Sequence, residues 1–284
     1  MVSAHHAVAK VTLRIVLTVV AALIAFLFAL PIIWMVASAL RPPAAIFQYL
    51  YPFSIHAFVP KEFTLSNYVS LLSGVFLRNM MNSLVVAFGT IALGTTVCAT
   101  AAYALSALRF PLREPVFAIV VVSFMVPFEA VAIPLSSLFK QWHLEDSYLG
   151  LILPGIANGL AIFLLRQFFL AVPKELLDAS QIDGARHWTI FSRIYIPLSK
   201  AAIISASLML FIWQWQAYLW PLLVVTQQQF DTAPVALARY IQQYDYNFGV
   251  MFAGAFLLSV IPAAIMLPLQ KYLTTSVSRT GIKE

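Results

Sequence analysis

The chain has 284 residues, of which 62% are apolar and 10% are charged, and its formal net charge is +6. A soluble domain of ordinary composition carries roughly a quarter charged residues, so this composition excludes that class. The basic residues cluster near the ends of long apolar blocks, as membrane topology requires, which argues against a nucleic-acid-binding surface. The sequence therefore predicts an integral membrane protein.

Six apolar blocks are long enough to cross a membrane as helices, since a crossing takes about 20 consecutive apolar residues. They lack the alternation of apolar and polar residues that a membrane β-barrel needs. Away from their ends, the third block contains one acid, Glu129, and the cores of the other five contain no charged residue. We expect an all-α protein that forms a single domain over residues 1–284. Its spans are predicted at about 13–40, 79–108, 115–139, 147–170, 200–226 and 247–272.

Lys and Arg positions predict the orientation of these spans. With a cytoplasmic N-terminus, twelve of the 17 basic residues lie on the inner side and five on the outer side. Both termini are therefore predicted to be cytoplasmic. The first block also resembles a signal peptide, but its apolar core exceeds the roughly 7–15 residues typical of one. We interpret it as the first span.

The outer loop, residues 41–78, is the longest segment outside the predicted spans. It is rich in proline and aromatic residues, which is typical either of an element at the membrane interface or of a contact with an external binding protein. Both interpretations stay open.

Two polar residues within the third and fourth spans are candidate functional residues. An ionisable side chain inside a membrane span is costly and by default indicates function, so Glu129, which lies close after Pro127, is one candidate. Its alternatives are a structural acid in a broken helix and the proton site of a secondary carrier. Asn158 lies between Gly155 and Gly159, whose spacing favours close helix packing. Its amide can bond a neighbouring helix or a solute hydroxyl.

A polar segment, residues 173–197, separates the fourth and fifth spans. Pro173 can begin a helix, and Glu175 and Asp178 lie near its start, where the helix dipole favours carboxylates. Gly184 is predicted to end that helix with a positive φ. Apolar residues form one stripe before this glycine and another after it: Leu176, Ala179 and Ile182, then Trp188, Phe191, Ile194 and Tyr195. Such a helix–turn–helix suits either a groove in a partner protein or packing against its own bundle.

The spacing D-A-S-x3-G-x9-I-x-I-P, from Asp178 to Pro197, resembles the signature E-A-A-x3-G-x9-I-x-L-P of ABC importer permeases. Asp178 replaces the glutamate and Ser180 the second alanine, and every spacing is kept. The segments at 101–104 and 163–169 also resemble the carbohydrate and glycerol-phosphate branch of this family. The resemblance covers roughly residue 79 to the end and points to the second permease of a maltose-type or glycerol-phosphate-type pair.

This resemblance implies a type I ABC importer permease in a bacterial inner membrane, surrounded by lipid. Its implied partners are a second permease, two copies of an ATPase subunit and an extracytoplasmic solute-binding protein, with no nucleic acid. ATP and Mg²⁺ would bind to the ATPase subunits, because this sequence has no G-x4-G-K-[ST] phosphate loop. The chain itself is predicted to be non-catalytic, without cofactor or metal. The residues implied to couple to the ATPase are Glu175, Leu176, Asp178, Ala179, Ser180, Asp183, Gly184, Ala185, Trp188 and Phe191.

The fifth span contains a dense run of aromatic and amide residues from 213 to 220. Sugars present C–H faces that stack on rings and hydroxyls that bond amides, so we expect this run to line a pathway, with interfacial anchoring as the alternative. The family usually has Trp-Asn where this chain has Trp215–Gln216. The predicted pathway residues are Glu129, Asn158, Trp213, Trp215, Gln216 and Tyr218.

The predicted function is ATP-driven import of a sugar or a related polyol or glycerol phosphate. A proton-coupled secondary carrier using Glu129 is the alternative, and a membrane-embedded enzyme is disfavoured because no catalytic set is clustered in the sequence.

Overall fold

A computed structural model describes the backbone of residues 2–243 and 247–281 and the side chains of residues 12–239 and 247–271. Within these ranges the chain forms helices and connecting segments, and no strand. The α-helices are α1 Val2–Ala39, α2 Ser66–Leu72, α3 Phe76–Ala107, α4 Arg113–Met125, α5 Phe128–Gln141, α6 Tyr148–Ile152, α7 Gly159–Leu170, α8 Lys174–Ile182, α9 His187–Ile190, α10 Ile196–Leu198, α11 Lys200–Trp215, α12 Leu219–Val224, α13 Ala233–Gln243 and α14 Phe248–Gly281. The shorter turns are the 3-10 helices Pro43–Ala45, Ile55–Ala57, Leu153–Gly155 and Gln228–Phe230 and the π-helix Phe191–Tyr195.

Three described helices are long and apolar enough to cross a membrane alone: Thr12–Ala39 of α1, α3, and Phe248–Lys271 of α14. Three bent pairs have the same length and composition. These are α4 with α5, bent by 96°, Tyr148–Gly155 with α7, bent by 48°, and His187–Leu198 with α11, bent by 83°. The described chain therefore has six crossings if each bent pair forms one.

The breaks differ from the continuous spans expected at 115–139, 147–170 and 200–226. Proline disfavours a helical conformation in the residue before it, and Val126, which precedes Pro127, is extended with φ −74° and ψ 121°. Asn158 is likewise extended, with φ −93° and ψ 112°, at the start of α7. A further break, distinct from the bend between α10 and α11, separates α11 from α12 at residues 216–218. Long apolar stretches lie on both sides of each break, so composition alone did not reveal the breaks.

The chain divides into two compact units, Met1–Gly74 with Ile241–Leu257, and Val75–Tyr240 with Leu258–Glu284. Helix α14 contributes its first residues to one unit and the remainder to the other. The single domain expected over residues 1–284 stays a prediction.

In the first unit, the buried Arg41 anchors the segment that follows α1. Its guanidinium donates to the carbonyl oxygens of His56 and of Ala57, the latter at 2.7 Å. Asn67 of α2 donates its amide to the carbonyl oxygens of Ala39 at 2.9 Å and Arg41 at 2.7 Å. The predicted outer loop is thus partly folded, although several of its aromatic side chains are exposed: Tyr51, Phe53 and Phe63.

In the second unit, α3 packs against both α7 and α11. Small buried residues of α3, among them Cys98, Ala99 and Ala102, allow this close approach. The sulfur of Cys98 lies 3.5 Å from the carbonyl oxygen of Ile156 and 3.6 Å from that of Asn158. The core of this unit therefore holds the start of α7 firmly in place.

Candidate functional site

Three helix breaks of the second unit line one cavity of about 680 Å³. Residues 126–127 lie between α4 and α5, residues 157–158 precede α7, and residues 216–218 lie between α11 and α12. Non-helical backbone at membrane depth is tolerated where it lines a cavity, because its polar groups need partners other than lipid. We call this space the helix-break cavity.

The lining of the helix-break cavity combines aromatic rings with amide and hydroxyl groups. The aromatic members are Phe124, Phe128, Trp213, Tyr218 and Trp220, and the other polar members are Thr90, Ser123, Glu129, Asn158, Gln214 and Gln216. Rings bind the apolar face of a ligand, and amides donate and accept hydrogen bonds. This arrangement is chemically suited to a polyhydroxylated solute.

Five of the six predicted pathway residues line this cavity: Glu129, Asn158, Trp213, Gln216 and Tyr218. The structure does not bring Trp215 into it. Trp215 is 3% exposed, stacks on Phe211 at 5.7 Å and donates its indole N–H to the carbonyl oxygen of Leu258 at 3.0 Å. Two neighbouring tryptophans of the same run thus have different environments, because residues two apart lie on different sides of a helix.

Asn158 has a defined structural contact in addition to its place in the cavity wall. Its side-chain oxygen accepts the backbone N–H of Ala161 at 2.9 Å and caps the start of α7. This oxygen is therefore engaged, and the amide nitrogen remains as the group with hydrogen atoms to donate.

Two lining residues, Thr90 and Gln214, were missing from the predicted pathway set. The hydroxyl of Thr90 lies 3.3 Å from the side-chain oxygen of Gln214 and donates to it. A Cβ at Gly155 would approach both residues to 2.9 Å, so only glycine allows this close contact. Gln214 lies within the aromatic–amide run, which was a usable signal, whereas nothing local in the sequence marked Thr90.

A second candidate surface consists of α8 and the turn that follows it. Gly184 has φ +75°, as predicted from its position. The N–H of Gly184 donates to the Gln181 carbonyl at 3.0 Å, and the N–H of Ala185 donates to the Ser180 carbonyl at 2.9 Å. This hydrogen-bond pattern is a Schellman motif, which ends a helix with a residue of positive φ.

Most of the predicted coupling residues in this segment are exposed. Ser180 and Ala185 are half-buried, and the exposed members are Glu175, Leu176, Asp178, Ala179, Asp183, Gly184 and Trp188. Ile182 of the first apolar stripe is 86% exposed, and Trp188 of the second is 66% exposed. We call the exposed face of residues 174–188 the α8 surface. It presents large apolar side chains beside carboxylates.

The second apolar stripe is divided between the surface and the core. Phe191 is only 7% exposed, and its ring lies 5.2 Å from Tyr103 of α3 and 5.4 Å from Trp188. Tyr195 packs on the same Tyr103 at 4.9 Å. Residues 191–195 form a π-helix, and both rings lie on its buried side. Phe191 thus supports the α8 surface from within and does not form part of its exposed face.

Residues 94–279 match the family described as "Binding-protein-dependent transport system inner membrane component". The chain belongs to this family. The matched range contains the whole segment 173–197 and, apart from Thr90, all the lining residues of the helix-break cavity. The resemblance inferred from the D-A-S spacing and the all-α permease fold are both confirmed.

Curated relatives of this permease align with most of the chain. The arabinooligosaccharides transport system permease protein of Bacillus subtilis is 31% identical over 273 residues, which are 95% of this chain and 96% of that protein. The lactose transport system permease protein of Rhizobium radiobacter is 31% identical and covers 89% of this chain and 90% of its own. The sn-glycerol-3-phosphate transport system permease protein of Salmonella choleraesuis is 34% identical over 72% of this chain and 74% of its own.

A solved structure has the same fold as this permease. A chain in the crystal structure of a bacterial ABC transporter involved in the import of the acidic polysaccharide alginate aligns with a TM-score of 0.75 and 25% identity. The alignment covers 91% of this permease and 95% of that chain.

Beside α8, the permease has a second cavity of about 860 Å³, which is lined in part by Glu114, Lys174 and Asp178. A buried arginine, Arg166, binds one of these lining residues, Glu114. Arg166 of α7 donates to both carboxylate oxygens of Glu114, at 2.9 and 3.1 Å, and to the carbonyl oxygen of Leu105 at 3.0 Å. Its guanidinium also lies 3.8 Å from the ring centre of Phe117. These contacts join α7 to α3 and α4 next to the α8 surface.

Proposed function

We propose that this permease forms half of the translocation pathway of an ATP-driven, binding-protein-dependent importer of a sugar or a related polyol or glycerol phosphate. The observation that carries the proposal is the helix-break cavity, where aromatic rings and amides converge at three interrupted helices. Discontinuous helices of this kind form solute sites in other transporters. The names of the relatives support the class of solute, but they include both uncharged saccharides and a phosphate ester. The names therefore do not decide whether the solute is an uncharged saccharide or a phosphate ester.

In this proposal the predicted coupling residues bind an ATPase subunit through the α8 surface. Exposed apolar side chains flanked by carboxylates suit a groove in a partner protein, and Leu176, Ile182 and Trp188 are of this type. Leu177 and Ala185 pack against the core, so a force on the exposed face would reach α3 and α11. The turn at Gly184 sets the angle between α8 and the segment that follows it.

The proposed assembly contains a second permease, two ATPase copies that bind ATP and Mg²⁺, and an extracytoplasmic solute-binding protein. This chain would form one domain and catalyse no reaction itself. Both termini would face the cytoplasm, because twelve of 17 basic residues then lie on that side. The α8 surface would face the ATPase, and the segment 226–232 would face outward.

Reconstitution of the full complex in proteoliposomes tests the proposal. Uptake should require ATP and the binding protein. It should continue in the presence of a protonophore, which abolishes proton-coupled transport. Uptake that proceeds without ATPase subunits and collapses with the proton gradient would instead establish the secondary carrier.

Two matched variants test the assignment of the cavity. Trp213→Ala removes a cavity ring and should raise the apparent KM for the solute about fivefold, since ring stacking contributes roughly 1 kcal/mol. Trp215→Ala removes a buried ring outside the cavity and should lower the thermal stability of the permease more than it changes KM. Equal effects of the two variants on KM would contradict the assignment.

A further inference from the structure

The helix-break cavity has a negative side chain in its wall. Glu129 is exposed there, and no Lys, Arg or His is among the described residues that line the cavity. No ion pair to Glu129 occurs within the described part of the chain. A solute that reaches the cavity therefore meets an uncompensated carboxylate from this half of the pathway.

The N-terminal ends of two helices at the cavity already interact with groups of the chain itself. A helix start carries partial positive charge and attracts anions, and both α5 and α7 begin at the cavity wall. The acid in the first turn of α5 is Glu129. The start of α7 is capped by Asn158, whose side-chain oxygen accepts the N–H of Ala161. Glu129 also offsets the charge that would otherwise attract a phosphate or a carboxylate to α5.

We infer that Glu129 is a specificity-determining residue that excludes anionic solutes, so that the pathway favours uncharged saccharides and polyols over phosphorylated or carboxylated ones. The inference rests on the proposed function, because it assumes that solute passes through this cavity. Two like charges several ångströms apart in a protein environment repel strongly enough to change an affinity by about tenfold or more. The hydroxyls of an uncharged solute, in contrast, can donate hydrogen bonds to the same carboxylate.

Uptake by the complete complex with its binding protein tests this inference in proteoliposomes. The uncharged probes are lactose, lactitol, arabinotriose and glycerol, and the anionic probes are lactobionate and glycerol 3-phosphate. Lactitol and lactobionate form a matched pair, since they differ at the former reducing end by a CH₂OH group against a carboxylate. We expect wild-type uptake of the uncharged member of a pair to exceed that of the anionic member about tenfold or more.

Two variants assign this discrimination to Glu129. Glu129→Gln keeps the size of the side chain and removes the charge, so the ratio of uncharged to anionic uptake should fall about tenfold. Glu129→Asp keeps the charge and should keep the ratio within about twofold of wild type. The binding protein is the same in every arm, so a change in the ratio comes from the permease. Raising the salt concentration should narrow the wild-type ratio, because it screens the carboxylate.

Three outcomes are distinguishable. Preferential uptake of lactobionate or glycerol 3-phosphate by the wild type overturns the inference and leaves the proposed function standing. An unchanged ratio in Glu129→Gln also overturns it, since the discrimination then has another source. If uptake of the probes proceeds without ATP or without the binding protein, the proposed function itself is contradicted, and the inference is lost with it.

Discussion

Two segments of the second unit, the loop at residues 226–232 and the α8 surface, differ in how they are hydrogen-bonded to the rest of the chain. The loop is bonded to distant parts of the chain. Asn79 and Asn82 of α3 each donate to two of its carbonyl oxygens at 2.8 to 3.0 Å. Asp146 accepts the backbone N–H groups of Thr226 at 2.8 Å and Gln227 at 2.9 Å.

The α8 surface has few such bonds to the rest of the chain. Its backbone hydrogen bonds over residues 173–186 remain local, and the hydroxyl of Ser180 donates back to carbonyl oxygens within α8. Among the described residues, a hydroxyl–imidazole contact of 3.5 Å joins Tyr103 to His187 at its far end. One segment is thus fixed by the permease itself, whereas the other exposes large apolar side chains. We expect substitutions in the loop to change stability and substitutions on the α8 surface to change assembly.

The largest expected effect distinguishes the two faces of one turn. Phe191→Ala should lower the free energy of unfolding of the permease by about 3 kcal/mol, because it leaves a cavity beside Tyr103. Trp188→Ala should lower it by under about 1 kcal/mol, because that ring is 66% exposed, yet it should weaken ATPase binding. Denaturation in mixed micelles and an ATPase pull-down measure the two quantities. The comparison breaks down if Trp188→Ala destabilises the permease as much as Phe191→Ala does.

The next effect tests how firmly the loop is held. Asn82→Leu removes two donated hydrogen bonds and the acceptor for the Tyr148 hydroxyl, at 2.8 Å. It should cost about 2 kcal/mol of stability and speed hydrogen exchange in the loop. Tyr148→Phe is the graded control, since it removes one of these bonds and should cost about 1 kcal/mol. Identical exchange rates in wild type and Asn82→Leu would show that the asparagine does not hold the loop.

A third effect concerns the shape of the α8 turn. A Cβ at Gly184 would have open space around it, so a substitution there acts through backbone conformation alone. Valine at φ +75° is strained by about 1–2 kcal/mol, and Gly184→Val should lower transport-coupled ATPase activity about tenfold. Gly184→Asn should stay within about twofold of wild type, because asparagine tolerates the left-handed region. Equal activities of the two variants would show that the turn geometry does not matter for coupling.

The smallest effect is a pH dependence at Asp146. Burial acts to raise the pKa of Asp146, but hydrogen bonds from Gln227 and Thr226 outweigh it, and the pKa lies below its ordinary value of 3.8. A lowered pKa stabilises the fold above pH 3.8, and this contribution is lost as pH falls through the folded-state pKa. The difference in thermal midpoint between wild type and Asp146→Asn should be constant from about pH 7 to pH 5 and shrink below about pH 4. A difference that grows on acidification would reverse the assignment.

The sequence was most informative where a conformation depends on neighbouring residues. The turn at Gly184 was predictable because a positive φ is a local requirement that glycine meets at no cost. The six apolar blocks and the spacing from Asp178 to Pro197 likewise indicated the all-α permease fold, because block length and motif spacing can be read without knowing which residues touch.

Properties that depend on distant residues were not predictable in this way. Spans that are apolar on all sides give no periodic signal for their buried face, so the sequence did not separate Trp213, in the cavity, from Trp215, in the core. Phe191 was placed among the coupling residues, since its contact with Tyr103, 88 positions earlier in the chain, leaves no trace in the local pattern. Thr90 joins the cavity through Gln214, a contact of the same long-range kind.

The enclosure of Cys98 has a practical consequence. It is the chain's one cysteine, and it lies fully buried in α3 against the carbonyl oxygens that precede α7. A thiol-reactive dye should therefore label Cys98 very little in the native protein. A cysteine placed at an exposed site such as Ile182 can be labelled without first removing the natural thiol, so the motion of the α8 surface can be followed by fluorescence in a chain that differs from the natural one at a single position.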